Sequence, residues 1–348
     1  MGPKTNPVLA VAAAALVVFG GSAPAQAQAA AGSVPVTVEN FPRAESDRYF
    51  AGIIRDGSLG RFTHRREPAR LENQTVIRLN RDTLYSSAVF DLDAGPVTVV
   101  LPDAGKRFMS MQVFDEDQYT RKVAYKPGKY TFTRKGIGTR YIAIALRILA
   151  DPADANDLKA AHALQDAVKA QQPGGPGTFV VPAWDPASQK KVRDALIVLA
   201  DTLPDKNHMF GTRKEVDPVR FLLGVDSAWG GNPDKEAIYL NVFPEKNDGA
   251  TLYRLKVPGD VPVDGFWSVS LYNGDGYFQK NDLGAYSVNN ITGRKSPDGS
   301  LEIVFGGCDG KAPNCLPIMP GWNYLVRLYR PRPEILEGKW KFPAPEIR

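Results

Sequence analysis

The sequence is poor in the side chains that build metal and redox sites. Only three histidines and two cysteines occur among its 348 residues. A structural zinc site needs four Cys or His ligands, so we expect neither a metal ion nor another cofactor. The motifs G-x-S-x-G, G-x-G-x-x-G and H-E-x-x-H, the P-loop and a complete EF-hand loop are also missing. Their absence argues against the common serine hydrolases, nucleotide-binding enzymes and zinc proteases.

Long hydrophobic runs are a second absence. The longest one, at 8–19, has about a dozen residues, whereas a membrane-spanning helix needs roughly 20. Lys4 precedes this run and Ala25-Gln26-Ala27 follows it, which is the pattern of a secretory signal peptide. We therefore predict a signal peptide at 1–27 and an exported protein, periplasmic or secreted, without a membrane span after cleavage. A retained anchor is the less favoured alternative, and export argues against nucleic acid as a partner.

The two cysteines, Cys308 and Cys315, are seven positions apart in the exported part of the chain. In an oxidising compartment such a pair is expected to be oxidised. A metal pair is the competing interpretation, but C-x6-C supplies only two of the four ligands of a structural zinc. The spacing therefore predicts a disulfide that closes a short loop.

Strand-like alternation of apolar and polar residues occurs in two separate parts of the chain. The predicted strands are 75–79, 84–92, 97–101, 108–114, 119–125, 130–134 and 141–149 in the first part, and 238–243, 251–257, 266–272, 301–305 and 324–329 in the second. The sequence Lys126-Pro127-Gly128-Lys129 is typical of a type II turn and predicts a hairpin between its flanking strands.

Helical periodicity separates these two parts. Helices are predicted near 42–57, at 151–172 and 188–203, and at 217–224. The fold class is therefore mainly β with a helical middle segment: two β-sandwich or jelly-roll-like sheet domains bridged by helices. The predicted boundaries are an N-terminal β-rich domain at 34–150, a helical connection at 151–235 and a C-terminal jelly-roll-like domain at 236–348. This order argues against a βαβ nucleotide-binding fold.

Two segments are more polar and aromatic than packing or turns require. They are 80–85 and 267–290, and small-molecule sites combine aromatic faces with amides and carboxylates in this way. The ligand-binding candidates in them are Asn80, Arg81, Tyr85, Trp267, Tyr272, Asn273, Tyr277 and Asn289. The alternative interpretation is that the Asn-Gly-Asp-Gly sequence at 273–276 forms a hairpin turn and that the aromatic residues fill a core.

These segments also carry a family resemblance. The runs 80–87, 95–97 and 101–110 and the runs 265–273, 286–289, 326–329 and 338–340 resemble a family that pairs domain of unknown function 1254 with domain of unknown function 1214. The resemblance covers nearly all of the mature chain. It implies a β-rich two-domain architecture and frequent export, and it implies no established activity. The family pattern usually has tryptophan where this chain has Cys315, so the predicted disulfide is a feature of this chain.

Two hypotheses for the function follow. The first is a cofactor-independent hydrolase acting on a small polar molecule or a saccharide in an inter-domain cleft, with Asp82 and Asp275 as acid and base. The second is a protein of the periplasm or cell envelope that binds a polar ligand or assists assembly and catalyses nothing. A cleft with both carboxylates favours the enzyme, and an aromatic groove without them favours the binding protein. The sequence predicts no oligomeric state.

Overall fold

The computed structural model describes residues 32–72, 74 and 77–348, so the predicted signal peptide at 1–27 lies outside the described residues. The helices are α1 Phe41–Arg55, α2 Arg134–Ile137, α3 Ala155–Ala167, α4 Pro186–Ala200, α5 Pro218–Ser227 and α6 Pro333–Leu336, with a 3-10 turn at Leu92–Ala94. The strands of the first part are β1 Thr63–His64, β2 Thr83–Asp91, β3 Val97–Leu101, β4 Met109–Asp115, β5 Thr120–Ala124, β6 Gly128–Phe132, β7 Tyr141–Leu149 and β8 Lys169–Gln171. Those of the second part are β9 Ala237–Val242, β10 Tyr253–Val257, β11 Trp267–Tyr272, β12 Ser287–Asn289, β13 Leu301–Phe305, β14 Cys315–Leu316, β15 Asn323–Tyr329 and β16 Glu346–Ile347.

The first eight strands form the N-terminal sandwich. One sheet has the order β1-β2-β7-β4-β5 and the other has the order β6-β3-β8, with antiparallel pairing throughout. Side chains alternate between the two faces of a strand, so Leu84, Phe90, Ile144 and Leu146 fill the core between these sheets. The intervening residues of β2, β4 and β7 point away from that core.

The C-terminal sandwich has two four-stranded sheets, with the orders β14-β13-β10-β16 and β12-β11-β15-β9. Leu255, Val269, Phe305 and Val326 pack in the core between these sheets. Every residue of β11 and β15 is buried. A strand that is buried on both faces must be covered on both sides, and the second cover is the N-terminal sandwich.

Helices α1, α4 and α5 pack together beside the N-terminal sandwich. Their shared core contains Phe41, Leu196 and Phe221. Pro218 occupies the first turn of α5, and the Asp217 carboxylate accepts hydrogen bonds from the free backbone N–H groups there. These elements confirm the predicted mainly β fold with a helical middle segment. Within the described residues, no helix combines the length and the apolar character that crossing a membrane requires.

The structure corrects two local predictions. The hairpin at 126–129 is wrong, because β5 and β6 belong to different sheets and the turn carries the chain from one sheet to the other. The predicted strand at 75–79 is wrong where the structure describes it, since residues 77 and 78 form a turn and residue 79 belongs to no strand. Residues 75 and 76 lie outside the described residues. β8, inside the segment predicted as a helical connection, pairs with β3 and extends the N-terminal sandwich.

The predicted disulfide is confirmed. Cys308 and Cys315 are bonded, with their Cα atoms 5.6 Å apart, which lies within the usual range. Cys315 begins β14, the strand that pairs in parallel with β13 at the edge of the sheet. The bond therefore holds a short edge strand and the loop before it against the sandwich.

Candidate functional site: the layer between the two domains

The outward faces of one sheet from each sandwich meet and enclose a set of polar side chains. β2, β4 and β7 of the N-terminal sandwich face β9, β11, β12 and β15 of the C-terminal sandwich. Phe108 contacts Phe266 and Tyr329 at one side, with ring centroids 5.0 and 5.3 Å apart. We call the enclosed polar set the interdomain layer; its members are Asn80, Asp82, Tyr85, Gln112, Arg147, Tyr239, Ser268, Ser270, Tyr272, Asn289, Arg327 and Tyr329.

Asp82 joins the two polar segments that the sequence singled out. It is 2% exposed, and its Oδ1 accepts hydrogen bonds from Ser287 Oγ and Asn289 Nδ2, each at 3.2 Å. Its Oδ2 is buried and has no hydrogen-bond partner among the described residues. Asn80 orients this corner, because its Oδ1 accepts a hydrogen bond from the backbone N–H of Asp82 at 2.8 Å. The two segments therefore meet across the domain boundary.

Asn80 also links the tyrosines of the two domains. Its Nδ2 lies 3.1 Å from the hydroxyl oxygens of Tyr85 and Tyr329. Burial raises the pKa of Tyr329 and of Tyr239 above its usual range, so both phenols stay protonated. Tyr239 accepts a hydrogen bond from Asn232 Nδ2 at 2.6 Å. These hydroxyl groups act as neutral hydrogen-bonding groups.

Arg327 on β15 is the first of two buried cations in the layer. It is 2% exposed and donates to Ser270 Oγ and to the Tyr272 hydroxyl, each at 2.8 Å. It also donates to the carbonyl oxygens of Arg78 and Leu79 at 2.8 and 3.1 Å. All of these acceptors are neutral. No carboxylate of the described residues forms an ion pair with Arg327 within 4.0 Å.

Arg147 on β7 is the second buried cation. It is 7% exposed and donates to Gln112 Oε1 at 2.8 Å and to the Gly230 carbonyl at 3.1 Å. Its guanidinium carbon lies 5.7 Å from the ring centroid of Tyr85. Gly230 can present its carbonyl here because it has a φ of 78°, a conformation that favours glycine. In the part of the chain that the structure describes, Arg147 also lacks an ion pair with a carboxylate.

The charge inside the layer is therefore unbalanced. Two buried arginines face one buried aspartate, and Asp82 forms an ion pair within 4.0 Å with neither of them, although its charge raises the pKa of Arg327. The Oγ of Ser268 is buried without a hydrogen-bond partner among the described residues. Tyr85 and Tyr239 are partly exposed, so solvent reaches the layer at these two residues. An arrangement of this kind is suited to an anion, which would balance the guanidinium charge.

The described residues between 69 and 79, which are 69–72, 74 and 77–79, cover one side of the layer. Gln74 pairs with the backbone of Phe278 in both directions, donating to its carbonyl at 2.8 Å and accepting from its N–H at 2.9 Å. The Arg78 backbone N–H donates to the Gly276 carbonyl at 2.8 Å. Arg81 donates to the Ala69 carbonyl, and its guanidinium lies 5.3 Å from the Tyr286 ring centroid. This part of the N-terminal domain is thus fastened to the C-terminal domain.

Several predicted site residues lie outside the layer. Asn273 accepts hydrogen bonds from the backbone N–H groups of Asp275 and Tyr277, at 3.1 and 2.9 Å, so this amide forms a turn. Asp275 is exposed and lies just after the C-terminal end of β11. Asp82 contacts Asn289, which pairs with Ser268 near the N-terminal end of that strand. The two carboxylates proposed as acid and base therefore do not face each other. Chain geometry explains this, because the turn carries Asp275 beyond the last covered residue of the strand.

Trp267 also takes a different place from the one expected of a ligand-binding residue. Successive residues of β11 point to opposite faces, so Ser268, Ser270 and Tyr272 face the interdomain layer and Trp267 faces the core. Its ring packs edge-on against Phe342 at 5.9 Å. Of the predicted residues, the structure brings together Asn80, Asp82, Tyr85, Tyr272 and Asn289, with Arg81 at the edge.

Sequence reasoning missed the two arginines and two of the tyrosines. Arg147 interrupts the apolar strand sequence Tyr-Ile-Ala-Ile-Ala-Leu-Arg-Ile-Leu, and Arg327 interrupts Tyr-Leu-Val-Arg-Leu-Tyr. A single arginine inside a strand that is apolar on both faces was the available signal, since charged residues are almost never fully buried without a reason. Within the described ranges, no group of three or more His, Cys, Asp or Glu side chains could hold a metal ion.

Comparisons with known proteins agree with this architecture. Residues 59–172 match the family profile described as "Protein of unknown function (DUF1254)", and residues 236–333 match the one described as "Protein of unknown function (DUF1214)". These two segments contain β1 to β8 and β9 to β15. The arginines of the layer therefore come one from each matched segment.

Two solved structures resemble the chain. The crystal structure of the VPA0106 protein from Vibrio parahaemolyticus is 19% identical, with a TM-score of 0.67, covering 89% of this chain and 97% of that one. An uncharacterized protein from Burkholderia cenocepacia is 12% identical, with a TM-score of 0.46, covering 89% of this chain and 86% of that one. The first likeness supports the fold alone. A search of curated proteins found no significant match.

Proposed function

The chain belongs to the two-domain family in which a DUF1254 domain precedes a DUF1214 domain, and we propose that it uses the layer between these domains to bind a small organic anion. The observation that carries the proposal is the pair of buried arginines, Arg147 and Arg327, without a carboxylate partner among the described residues. Burying an ion costs several kcal/mol unless its charge is compensated. A bound anion supplies that compensation.

The chemistry of the layer favours a carboxylate on a small polar molecule. Guanidinium groups match carboxylates geometrically, and hydrogen bonds between charged partners are stronger than those between neutral groups. The hydroxyl groups of Tyr85 and Tyr239 and the free Oγ of Ser268 supply neutral contacts for the remainder of such a ligand. An acidic saccharide or a short carboxylic acid satisfies both requirements.

Binding without catalysis is the better supported of the two hypotheses. The hydrolase hypothesis depends on two facing carboxylates, and Asp82 is buried while Asp275 lies in an exposed turn. Asp82 instead holds Ser287 and Asn289 in place across the domain boundary. A single carboxylate that is engaged in this way is suited to fastening the domains together.

We place the protein outside the cytoplasm. The Cys308–Cys315 disulfide supports this location, because reducing compartments keep such thiols free. The signal-peptide pattern at 1–27 supports it independently. The ligand is therefore expected to be a molecule of the periplasm or the surroundings of the cell.

A calorimetric titration tests the proposal. Succinate and glucuronate are the probes, and succinamide and glucose are their neutral counterparts. We expect the anions to bind and the neutral molecules not to bind. Arg147→Met should weaken anion binding by about ten- to a hundredfold, the value of one charge-assisted hydrogen bond.

The matched control is Arg254→Met on β10, whose side chain is exposed and pairs with Glu346. This variant also loses one positive charge, and it should bind the anions as the unaltered protein does. Equal binding of glucose and glucuronate would contradict the anion class. If folded Arg147→Met bound the anions as tightly as the unaltered protein does, the interdomain layer would not be the binding site.

A further inference from the structure

A pocket lies beside α1 and shares no residue with the interdomain layer. Its volume is about 330 Å³, at the small end of the roughly 300–1,000 Å³ typical of ligand sites. We call it the α1 pocket. Its lining includes Arg43, Asp47, Glu116, Arg140, Val181 and Trp184.

Asp47 is the unusual member of this lining. It lies on α1 and is 2% exposed. Its Oδ2 accepts a hydrogen bond from Trp184 Nε1 at 2.8 Å, whereas its Oδ1 is buried with no hydrogen-bond partner among the described residues. A buried carboxylate oxygen without a donor is costly. The pocket therefore contains an acceptor for which the described residues supply no donor.

The arginines at this pocket do not supply that partner. Each already pairs with a carboxylate outside the lining: Arg43 with Asp117 at 2.8 Å, Arg134 with Asp93 at 3.2 Å, and Arg140 with Asp91 at 2.9 Å. The second carboxylate of the lining, Glu116, accepts a hydrogen bond from the Tyr141 N–H at 2.9 Å, and its nearest described cation is Arg43 at 3.9 Å. The unmatched charge is therefore negative, opposite in sign to that of the interdomain layer.

We propose that the α1 pocket binds a small organic ammonium ion, which donates hydrogen bonds to Asp47 and Glu116 while its apolar part lies against Val181 and Trp184. An ammonium group has only donors. Its charge complements Asp47, which has no ion pair among the described residues, and Glu116, whose contact with Arg43 is long at 3.9 Å. Val181 and Trp184 are partly exposed at the pocket and offer apolar surface beside the acids. This proposal is independent of the one for the interdomain layer.

Proton linkage gives the proposal a measurable signature. Burial raises the pKa of Asp47 to about 7; the Trp184 hydrogen bond and the charge of Arg43 lower it, and the charges of Glu116 and Asp117 raise it. The ammonium ion binds the ionised carboxylate, so binding strengthens as the pH rises. Between pH 6 and pH 8 the ionised fraction of a group with this pKa rises roughly tenfold. The affinity should rise by the same factor, with release of a proton at pH 6.

The experiment is a calorimetric titration of the mature full chain with benzylammonium chloride at pH 6 and pH 8. Benzyl alcohol and benzoate are the neutral and anionic counterparts of the same shape. We expect benzylammonium to bind about tenfold more tightly at pH 8 than at pH 6, and the other two molecules not to bind. Asp47→Asn should lose most of the affinity at pH 8 and all of the pH dependence.

Two further variants keep the test decisive. Trp184→Phe retains the carboxylate but removes a hydrogen bond that lowers its pKa, so the rise in affinity should move to higher pH. Asp194→Asn, on the exposed side of α4, changes the net charge by the same amount as Asp47→Asn. It should bind benzylammonium as the unaltered protein does. Absence of benzylammonium binding at millimolar concentration, equal binding of benzyl alcohol, or an affinity that does not change with pH would each overturn the proposal.

Discussion

Asp82 and Asn289 are 207 positions apart in the chain, and Asn289 Nδ2 donates a hydrogen bond to Asp82 Oδ1 at 3.2 Å. The contact joins the start of β2 to the end of β12 and therefore joins one domain to the other. The same carboxylate oxygen also accepts a hydrogen bond from Ser287. A residue that the sequence proposed as catalytic thus lies at the centre of the contact between the sandwiches.

Replacing Asp82 by asparagine separates its charge from its hydrogen bonds. Asp82→Asn keeps a carbonyl oxygen for Asn289 and Ser287, so we expect a loss of about 1 kcal/mol in the free energy of unfolding. Organic anions should bind more tightly, because a like charge has been removed from the layer. Chemical denaturation and calorimetry measure the two effects. Exposed Asp275→Asn is the control and should change neither, whereas a folded Asp82→Asn without any binding would show that the carboxylate itself takes part.

Arg327 is expected to hold the segment 77–79 in place. Arg327→Met removes the donor to Ser270, Tyr272 and the carbonyl groups of Arg78 and Leu79. The Leu79 carbonyl keeps a hydrogen bond from the Tyr272 hydroxyl, whereas the Arg78 carbonyl loses its donor. We expect the free energy of unfolding to fall by roughly 1–3 kcal/mol, the cost of a buried acceptor that loses its donor. Hydrogen exchange should quicken around residues 77–80 first. Uniform exchange in a variant of normal stability would contradict this role.

The disulfide should contribute modestly to the free energy of unfolding, and its effect should be confined to the residues near it. The Cys308–Cys315 loop is short, so the double variant Cys308→Ser/Cys315→Ser should lose about 2 kcal/mol on the loop-entropy account. Faster hydrogen exchange should be confined to β14 and the loop before it. Thiol labelling of the denatured, unreduced protein provides an independent check, and two reactive thiols would contradict the bond.

The stability should depend on pH through Asp47. Its pKa is about 7 in the folded chain and 3.8 as the ordinary value, so the folded state holds the proton more tightly. The free energy of unfolding should therefore fall as the pH rises from about 4 to about 7. Asp47→Asn removes this cost and should be more stable than the unaltered protein at pH 8 by roughly 2–4 kcal/mol. If the difference in stability between Asp47→Asn and the unaltered protein did not become smaller toward pH 5, the raised pKa of Asp47 would be refuted.

Export predicts a defined amino terminus. Cleavage after Ala27 leaves a chain that begins at Gln28 and has lost Lys4. The intact mass of protein purified from the exported fraction should equal that of residues 28–348. A mass that includes the first 27 residues would contradict the signal peptide.

The sequence by itself determined the fold class and most of the elements. Period-two alternation is strong in strands with one core face, such as β3 and β10, and capped helices such as α5 carry their own boundary signals. The disulfide followed from the presence of only two cysteines together with the predicted export. The hairpin at 126–129 was wrong because turn chemistry is local, whereas the choice of sheet depends on residues far away in the chain.

Only the tertiary structure decided which polar residues share a site. Asn80, Asp82 and Asn289 come together because two outward sheet faces meet, and the same alternation turns Trp267 into the opposite core. The unmatched charge of Arg147 was equally hidden, since an ion pair can involve any carboxylate in the chain. Local pattern reports which face of a strand a residue occupies, but packing between domains decides what that face meets.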